Sequence, residues 1–309
     1  MRVEATGICG SDLAGYHGKS TRRRPPLILG HEVVGRVANA ITGSGLPIGQ
    51  RVVVNPLQSC GFCYGCLRGR ENQCSNWRLL GMDDEQGGFA DLVVVDKRCL
   101  TPIPETLRIS DAAMVEPLAN TVHVFDMLKD YPPERLLIIG GGTQGALALM
   151  LAKSIAIPQV WVTEASSARR ESARALGADT VIDGVPELVL DAVRETWPGG
   201  ADAVLEAVGT AATRDLAVRA VRNGGTVVLL GLHDQRSDAD FSSIVRKEVT
   251  LRGSFAYTRS DFAASLHLLV SGAISATPYV RELPLLDGPS AFARLSDAPD
   301  AVLKILLVP

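Results

Sequence analysis

Arg135-Leu136-Leu137-Ile138-Ile139-Gly140-Gly141-Gly142-Thr143-Gln144-Gly145-Ala146 joins a short apolar run, a glycine-rich turn and the start of a helix-forming segment, Ala146 to Lys153. A run that short and that apolar reads as a buried strand. A G-x-G-x-x-G pattern is weak evidence by itself. Here it stands between a strand and a helix, and Glu164 ends the next strand, Val160-Trp161-Val162-Thr163. That is the setting a dinucleotide-binding turn requires. Glycines let the backbone approach a pyrophosphate, which rests on the helix N-terminus. Glu164 would hydrogen-bond the ribose hydroxyls and repel a 2′-phosphate, so the cofactor reads as NAD rather than NADP. The candidate cofactor-binding residues are Gly140, Gly142, Gly145, Glu164 and Arg169, with Arg169 and its neighbour Arg170 arguing for a phosphate.

Downstream, helix and strand alternate. Ser167 to Leu176 reads as a helix stopped by Gly177, Thr180 to Asp183 as a strand, and Pro186 to Thr196 as a helix with Pro near its start. Ala203 to Ala207 and Thr226 to Gly231 are strands around a helix from Ala211 to Val221. This βαβ rhythm predicts an α/β unit whose doubly wound parallel sheet is covered on both faces. A helix from Asp261 to Gly272 and a closing strand from Ala301 to Val308 complete the chain.

The first 117 residues have another character. Val33 to Val37, Arg51 to Val54 and Phe89 to Val95 read as strands, and Asp111 to Met127 as a helix. Pro117 pushes Glu116 towards an extended conformation, a break from which that side chain could be aimed inward. Cys60, Cys63, Cys66 and Cys74 are separated by two, two and seven residues, with Gly61, Gly65 and Gly69 supplying tight turns. Four thiolates so placed predict a closed tetrahedral zinc site. Cys9 and His31, each bland alone, become candidate ligands once that lobe is recognised. The chain has 309 residues, enough for two cored domains. A net charge of −3 argues against nucleic acid, and Arg22-Arg23-Arg24 reads as a solvated loop. No apolar run approaches the ~20 residues of a membrane span, and clustered cysteines suit a reducing cytoplasm better than a disulfide framework.

The order Cys9, His31, four-cysteine lobe, glycine turn resembles the zinc-dependent medium-chain alcohol dehydrogenases, especially their polyol (sorbitol) and threonine dehydrogenase branch. The resemblance covers nearly the whole chain. It implies a β-rich, chaperonin-10-like (GroES-like) catalytic domain over 1–117 with a structural zinc lobe at 60–74. A Rossmann domain over 118–255 and a return to the catalytic domain over 256–309 would follow. It implies two zinc ions, one structural and one catalytic, the latter held by Cys9, His31 and Glu116 or Glu32. Asp12 would stand behind His31 and fix its tautomer. Ser11 would take the proton of a secondary alcohol (a polyol, a sugar or cyclitol alcohol, or threonine-like) as hydride passes to NAD. Many relatives carry a proton-relaying His where this chain has Ala14, with His17 nearby. The family also implies a homodimer or homotetramer. Two or three strands of ~5–6 residues each are expected before Met1 in such a fold, and their lack favours a second reading, a catalytically impaired protein that still binds nucleotide and zinc.

Overall fold

The strand Arg135–Ile139 lies inside a six-stranded sheet. Across it the order is Thr250–Gly253, Val221–Leu229, Ala201–Glu206, Arg135–Ile139, Gln159–Glu164, Thr180–Asp183, and every neighbouring pair is parallel. Read from the Thr180–Asp183 edge and numbered along the chain, this is 3-2-1-4-5-6, the doubly wound dinucleotide-binding order. Strand periodicity explains how it is covered. Leu136, Ile138, Val160 and Val162 enter one core cluster, whereas Leu137, Ile139, Trp161 and Val204 enter another. Successive side chains point to opposite faces, so each apolar run serves two cores. Trp161 and Trp197 stack in the second, with ring centroids 3.9 Å apart.

These strands belong to a unit spanning Asn120–Phe255, while Met1–Ala119 and Ala256–Pro309 make the other. The computed structural model describes residues 1–39, 43, 45–297 (for Asp297 the backbone alone) and 302–309. The second sheet runs Val280–Pro284, Lys304–Val308, Arg2–Gly7, Glu32–Arg36, Arg51–Val54, Leu100–Pro102. Its pairs are antiparallel except the first. The chain's last strand therefore lies beside its first, with Gly7 opposite Leu306 on one side and Glu32 on the other. Among the described residues no helix is long and apolar enough to cross a membrane.

Several expectations are corrected. Phe89 to Val95 is not a strand: it makes only an isolated bridge, Leu92 to Arg2, because Met1–Val3 is the stretch it pairs with. The helix expected from Asp111 is two, Ile109–Ala112 and Val115–Leu128. Glu116 and Pro117 both lie in the first turn of the second, where proline is tolerated, so the break falls before Glu116 rather than at it. The strand expected from Thr226 begins at Val221, and Ala201 faces Val221 while Ala203 faces Thr226. The residues around Gly224 bulge out and disguise a continuous strand. The closing strand starts at Lys304, and Ala301 lies outside the described residues. Arg23, expected in solvent, is 6% exposed.

Candidate functional site

Cys9 caps the short helix Gly10–Tyr16, and its backbone N–H donates to Asp12 Oδ2 at 3.0 Å. That bond turns the Asp12 carboxylate back into the protein, where it is fully buried. Its Oδ1 lies 3.4 Å from His31 Nδ1, which leaves Nε2 to face a metal. Burial opposes ionisation of Asp12, yet His31 and then Arg23 bring its carboxyl below the ordinary value. Burial likewise opposes a charged His31, but Asp12 and Cys9 hold it well above the ordinary imidazole value.

Glu32 opens the strand Glu32–Arg36 opposite Gly7. A Cβ on Gly7 would stand 2.0 Å from Glu32 Oε2, so glycine there leaves room for the carboxylate. Glu32 Oε1 accepts from Lys304 Nζ at 2.6 Å, and Lys304 also donates to the Ile8 carbonyl at 3.1 Å. Both side chains are almost wholly buried. Burial would lower Lys304, but Glu32 and then Cys9 outweigh it and raise it. Glu32 Oε2 is buried without a hydrogen-bond partner among the described residues. Ligand atoms of Cys9, His31 and Glu32 all lie within 4.8 Å of one another.

Glu116 is buried but stands outside that triplet. It accepts from the Tyr257 hydroxyl at 3.0 Å. Burial raises its carboxyl, with Glu32 adding and His31 opposing. Burial and then Glu116 hold the Tyr257 phenol well above its ordinary value, which keeps it a donor. Ser11 is half-buried in the first turn after Cys9, and Ala14 lies one turn further. His17 ends that helix with Nε2 2.7 Å from Ser296 Oγ.

The donor set fits a divalent ion. Asp12, Glu32 and Glu116 are buried carboxyls and Cys9 beside them is a free, half-buried thiol, while Arg23, Lys304 and His31 are the basic groups among them. A buried carboxylate oxygen without a hydrogen-bond partner needs compensation, and among the described residues Glu32 Oε2, beside a thiol and an imidazole, is such an atom. Thiolate, imidazole and carboxylate are zinc's ordinary ligands.

The four clustered cysteines converge as well. All six cysteines are free; Cys63 and Cys66 Sγ are 3.5 Å apart, Cys60 and Cys66 Sγ 3.9 Å. Tetrahedral zinc with Zn–S near 2.3 Å needs S···S separations of about 3.8 Å. Backbone N–H groups of Cys66 and Ser75 lower the Cys63 thiol to about 6, whereas burial raises Cys74 to about 11. The two 3₁₀ turns Cys66–Arg68 and Glu71–Gln73 fold the lobe, helped by Gly69 in the left-handed region at φ 67°.

In the other unit, Gly140 takes φ 102° and a Cβ on Gly145 would lie 1.7 Å from the Gly140 carbonyl oxygen. The helix Thr143–Ser154 starts after Gly142, which has no side chain to cap it. Glu164 Oε2 accepts from Gly141 N at 2.7 Å and Oε1 from Ser166 N at 2.8 Å. Arg170 pairs with Asp183, whereas the Arg169 guanidinium lies beside Gly142. Arg23, Tyr257 and Lys304 are the site residues that sequence reading missed. Only Lys304 carries a signal, a lone charge in the apolar run Leu303–Leu307.

Residues 1–105 match the family model described as alcohol dehydrogenase GroES-like domain, and residues 145–271 the one described as zinc-binding dehydrogenase. The chain is 33% identical to 2-dehydro-3-deoxy-L-galactonate 5-dehydrogenase of Pseudoalteromonas atlantica, covering 99% of this chain and 90% of that protein. It is 35% identical to L-threonine 3-dehydrogenase of Pyrococcus horikoshii, over 82% of this chain and 74% of the relative. A structure solved with NADP, from Sinorhizobium meliloti and described as a zinc-binding dehydrogenase, superposes with TM-score 0.90 at 32% identity. It covers all of this chain and 91% of that one.

Proposed function

Because this chain belongs to the zinc-dependent medium-chain alcohol dehydrogenase family, we propose that it oxidises a secondary alcohol of the polyol, sugar-alcohol or threonine-like class, reversibly, with NAD. The observation that carries the reading is the convergence of Cys9, His31 and the orphaned Glu32 Oε2. It favours Glu32 over Glu116 as the third group to hold the catalytic zinc. A zinc ion there supplies Lewis acidity that lowers the pKa of the alcohol, and NAD supplies the hydride acceptor.

The chain's own residues do the rest. Asp12 fixes the His31 tautomer by facing Nδ1. Lys304 holds one Glu32 oxygen, and the other is left without a hydrogen-bond partner among the described residues. Ser11, beside Cys9 on the same turn, is the group to accept the hydroxyl proton. Tyr257 donates to Glu116 Oε1, so that carboxylate is oriented without being a ligand. Cys60, Cys63, Cys66 and Cys74 would hold a second zinc, which would brace the lobe.

Cofactor choice rests on Glu164, whose carboxylate sits over the glycine turn where ribose hydroxyls would approach. A negative group there disfavours a 2′-phosphate, although Arg169 stands near. Initial rates over a panel of polyols, sugar alcohols, threonine and simple secondary alcohols, each with NAD and NADP, test the whole reading. NAD is expected to win by tenfold or more, and Glu164→Ser to narrow or reverse that preference. Equal use of both cofactors by the unmodified protein would sink the NAD assignment, and silence across the panel would sink the substrate class.

A further inference from the structure

Among the described residues, three buried polar atoms lack hydrogen-bond partners around one carboxylate: Asp12 Oδ1, His31 Nδ1 and Arg23 Nε. They face one another. Oδ1 is 3.4 Å from His31 Nδ1 and 3.6 Å from Arg23 Nε, and the side chains of all three are 5% exposed or less. The other carboxylate oxygen is tied to the Cys9 backbone. Asp12 is thus held at three corners, by the backbone of one proposed ligand, by the ring of another, and by a guanidinium.

Arg23 reaches this place by design of its surroundings. Its neighbour Arg24 is exposed, and Arg22 is half-buried, stacking on Trp77 and pairing with Asp83. Its own backbone N–H donates to Ser20 Oγ at 3.1 Å. Its stem lies against Gly15: a Cβ there would be 2.8 Å from Arg23 Cβ and 2.9 Å from Cδ. Glycine in the helix Gly10–Tyr16 is costly and finds its use in that contact.

We propose that Arg23 is a positioning residue for the catalytic zinc site, acting through Asp12 to hold His31 in its ligating orientation. The inference rests on the reading of Cys9, His31 and Glu32 as metal ligands. Both gaps to Oδ1 exceed hydrogen-bonding distance by a few tenths of an ångström, so a small shift of this oxygen engages both partners. Groups standing behind a metal-bound His typically alter metal affinity 10–100-fold.

The experiment measures zinc affinity, by chelator competition, separately for the weaker and the tighter site of the purified protein. Arg23→Met should weaken one site about tenfold and leave the four-cysteine zinc in place as an internal measure of folding. Arg23→Lys should recover most of the loss. Asp12→Asn combined with Arg23→Met should cost no more than Asp12→Asn alone, because the two act in series. Gly15→Ala, a change that ordinarily favours a helix, should weaken the same site by displacing the Arg23 stem, and it serves alone if Arg23→Met does not fold. Unchanged affinity in folded Arg23→Met, additive losses with Asp12→Asn, or unchanged affinity in Gly15→Ala where only that variant folds, would overturn the proposal. An unmodified protein that never binds more than the four-cysteine zinc, with Cys9→Ser no different, would instead overturn the metal-site reading beneath it.

Discussion

Cys9, His31 and Glu32 were legible because they sit in two short segments, and so were the four cysteines, whose spacing alone carries a geometry. What surrounds them was not. Arg23, Tyr257 and Lys304 reach the site from separate places in the chain, and only the fold brings them there. A run of three arginines gave no hint that its middle member is buried while Arg22 is half-buried and Arg24 exposed. At this scale the two metal assignments separate cleanly. Unmodified protein should hold close to two zinc ions per chain. Cys66→Ser should lose one and lower the unfolding temperature, since closed structural sites contribute folding energy outright. Cys9→Ser should lose the other, abolish turnover and leave the unfolding temperature nearly unchanged. Metal analysis with thermal unfolding checks both, and full turnover by Cys9→Ser would remove Cys9 from the site.

Most elements of the nucleotide unit were legible because strands such as Arg135–Ile139 are apolar runs closed by a turn signal and Pro186–Thr196 has a proline start. Phe241–Arg246 and Thr250–Gly253 carry no such signal. The misreadings were local. A bulge around Gly224 hid five residues of strand before Thr226, and a helix start absorbed Glu116-Pro117 where proline suggested a break. Asp202 shows what ties elements together there. Its carboxylate accepts from Arg135 Nη2 at 2.9 Å and Arg222 Nε at 2.7 Å, and from the backbone N–H groups of Glu134 and Arg135, so it pins the starts of three neighbouring strands. Burial would raise this carboxyl, but the hydrogen bonds from Arg135 and Arg222 outweigh it and hold it low. Asp202→Asn should cost ~1–3 kcal/mol at pH 7. A depressed folded-state pKa means that the stabilisation is complete above the unfolded value of ~3.9 and fades only as pH falls through the lower folded value. Urea unfolding of parent and variant should therefore differ at pH 7 and at pH 5, and converge in stronger acid. A gap that closed already at pH 5 would show that the ion pairs do not set it.

Across the whole chain, the first unit is built from both ends: the strand Lys304–Val308 lies next to Arg2–Gly7, and Arg2–Gly7 next to Glu32–Arg36. Lys304 thereby crosses the central strand to meet Glu32, 272 residues away in sequence. No local pattern encodes such a pair; it exists only once the sheet has closed. Its energetics follow from burial. Removing one partner of a buried ion pair typically costs ~3–5 kcal/mol, because the other charge is left uncompensated. Lys304→Met should impose that cost on protein stripped of metal by a chelator, where no divalent charge stands near Glu32. With zinc restored, the divalent charge near Oε2 takes over part of the compensation, and the same substitution should cost clearly less. Chemical unfolding of parent and Lys304→Met, each with and without zinc, yields the four values required. A cost that is equal in both states, or larger with zinc, would mean that Glu32 does not face the metal, and the third ligand would then have to be sought at Glu116.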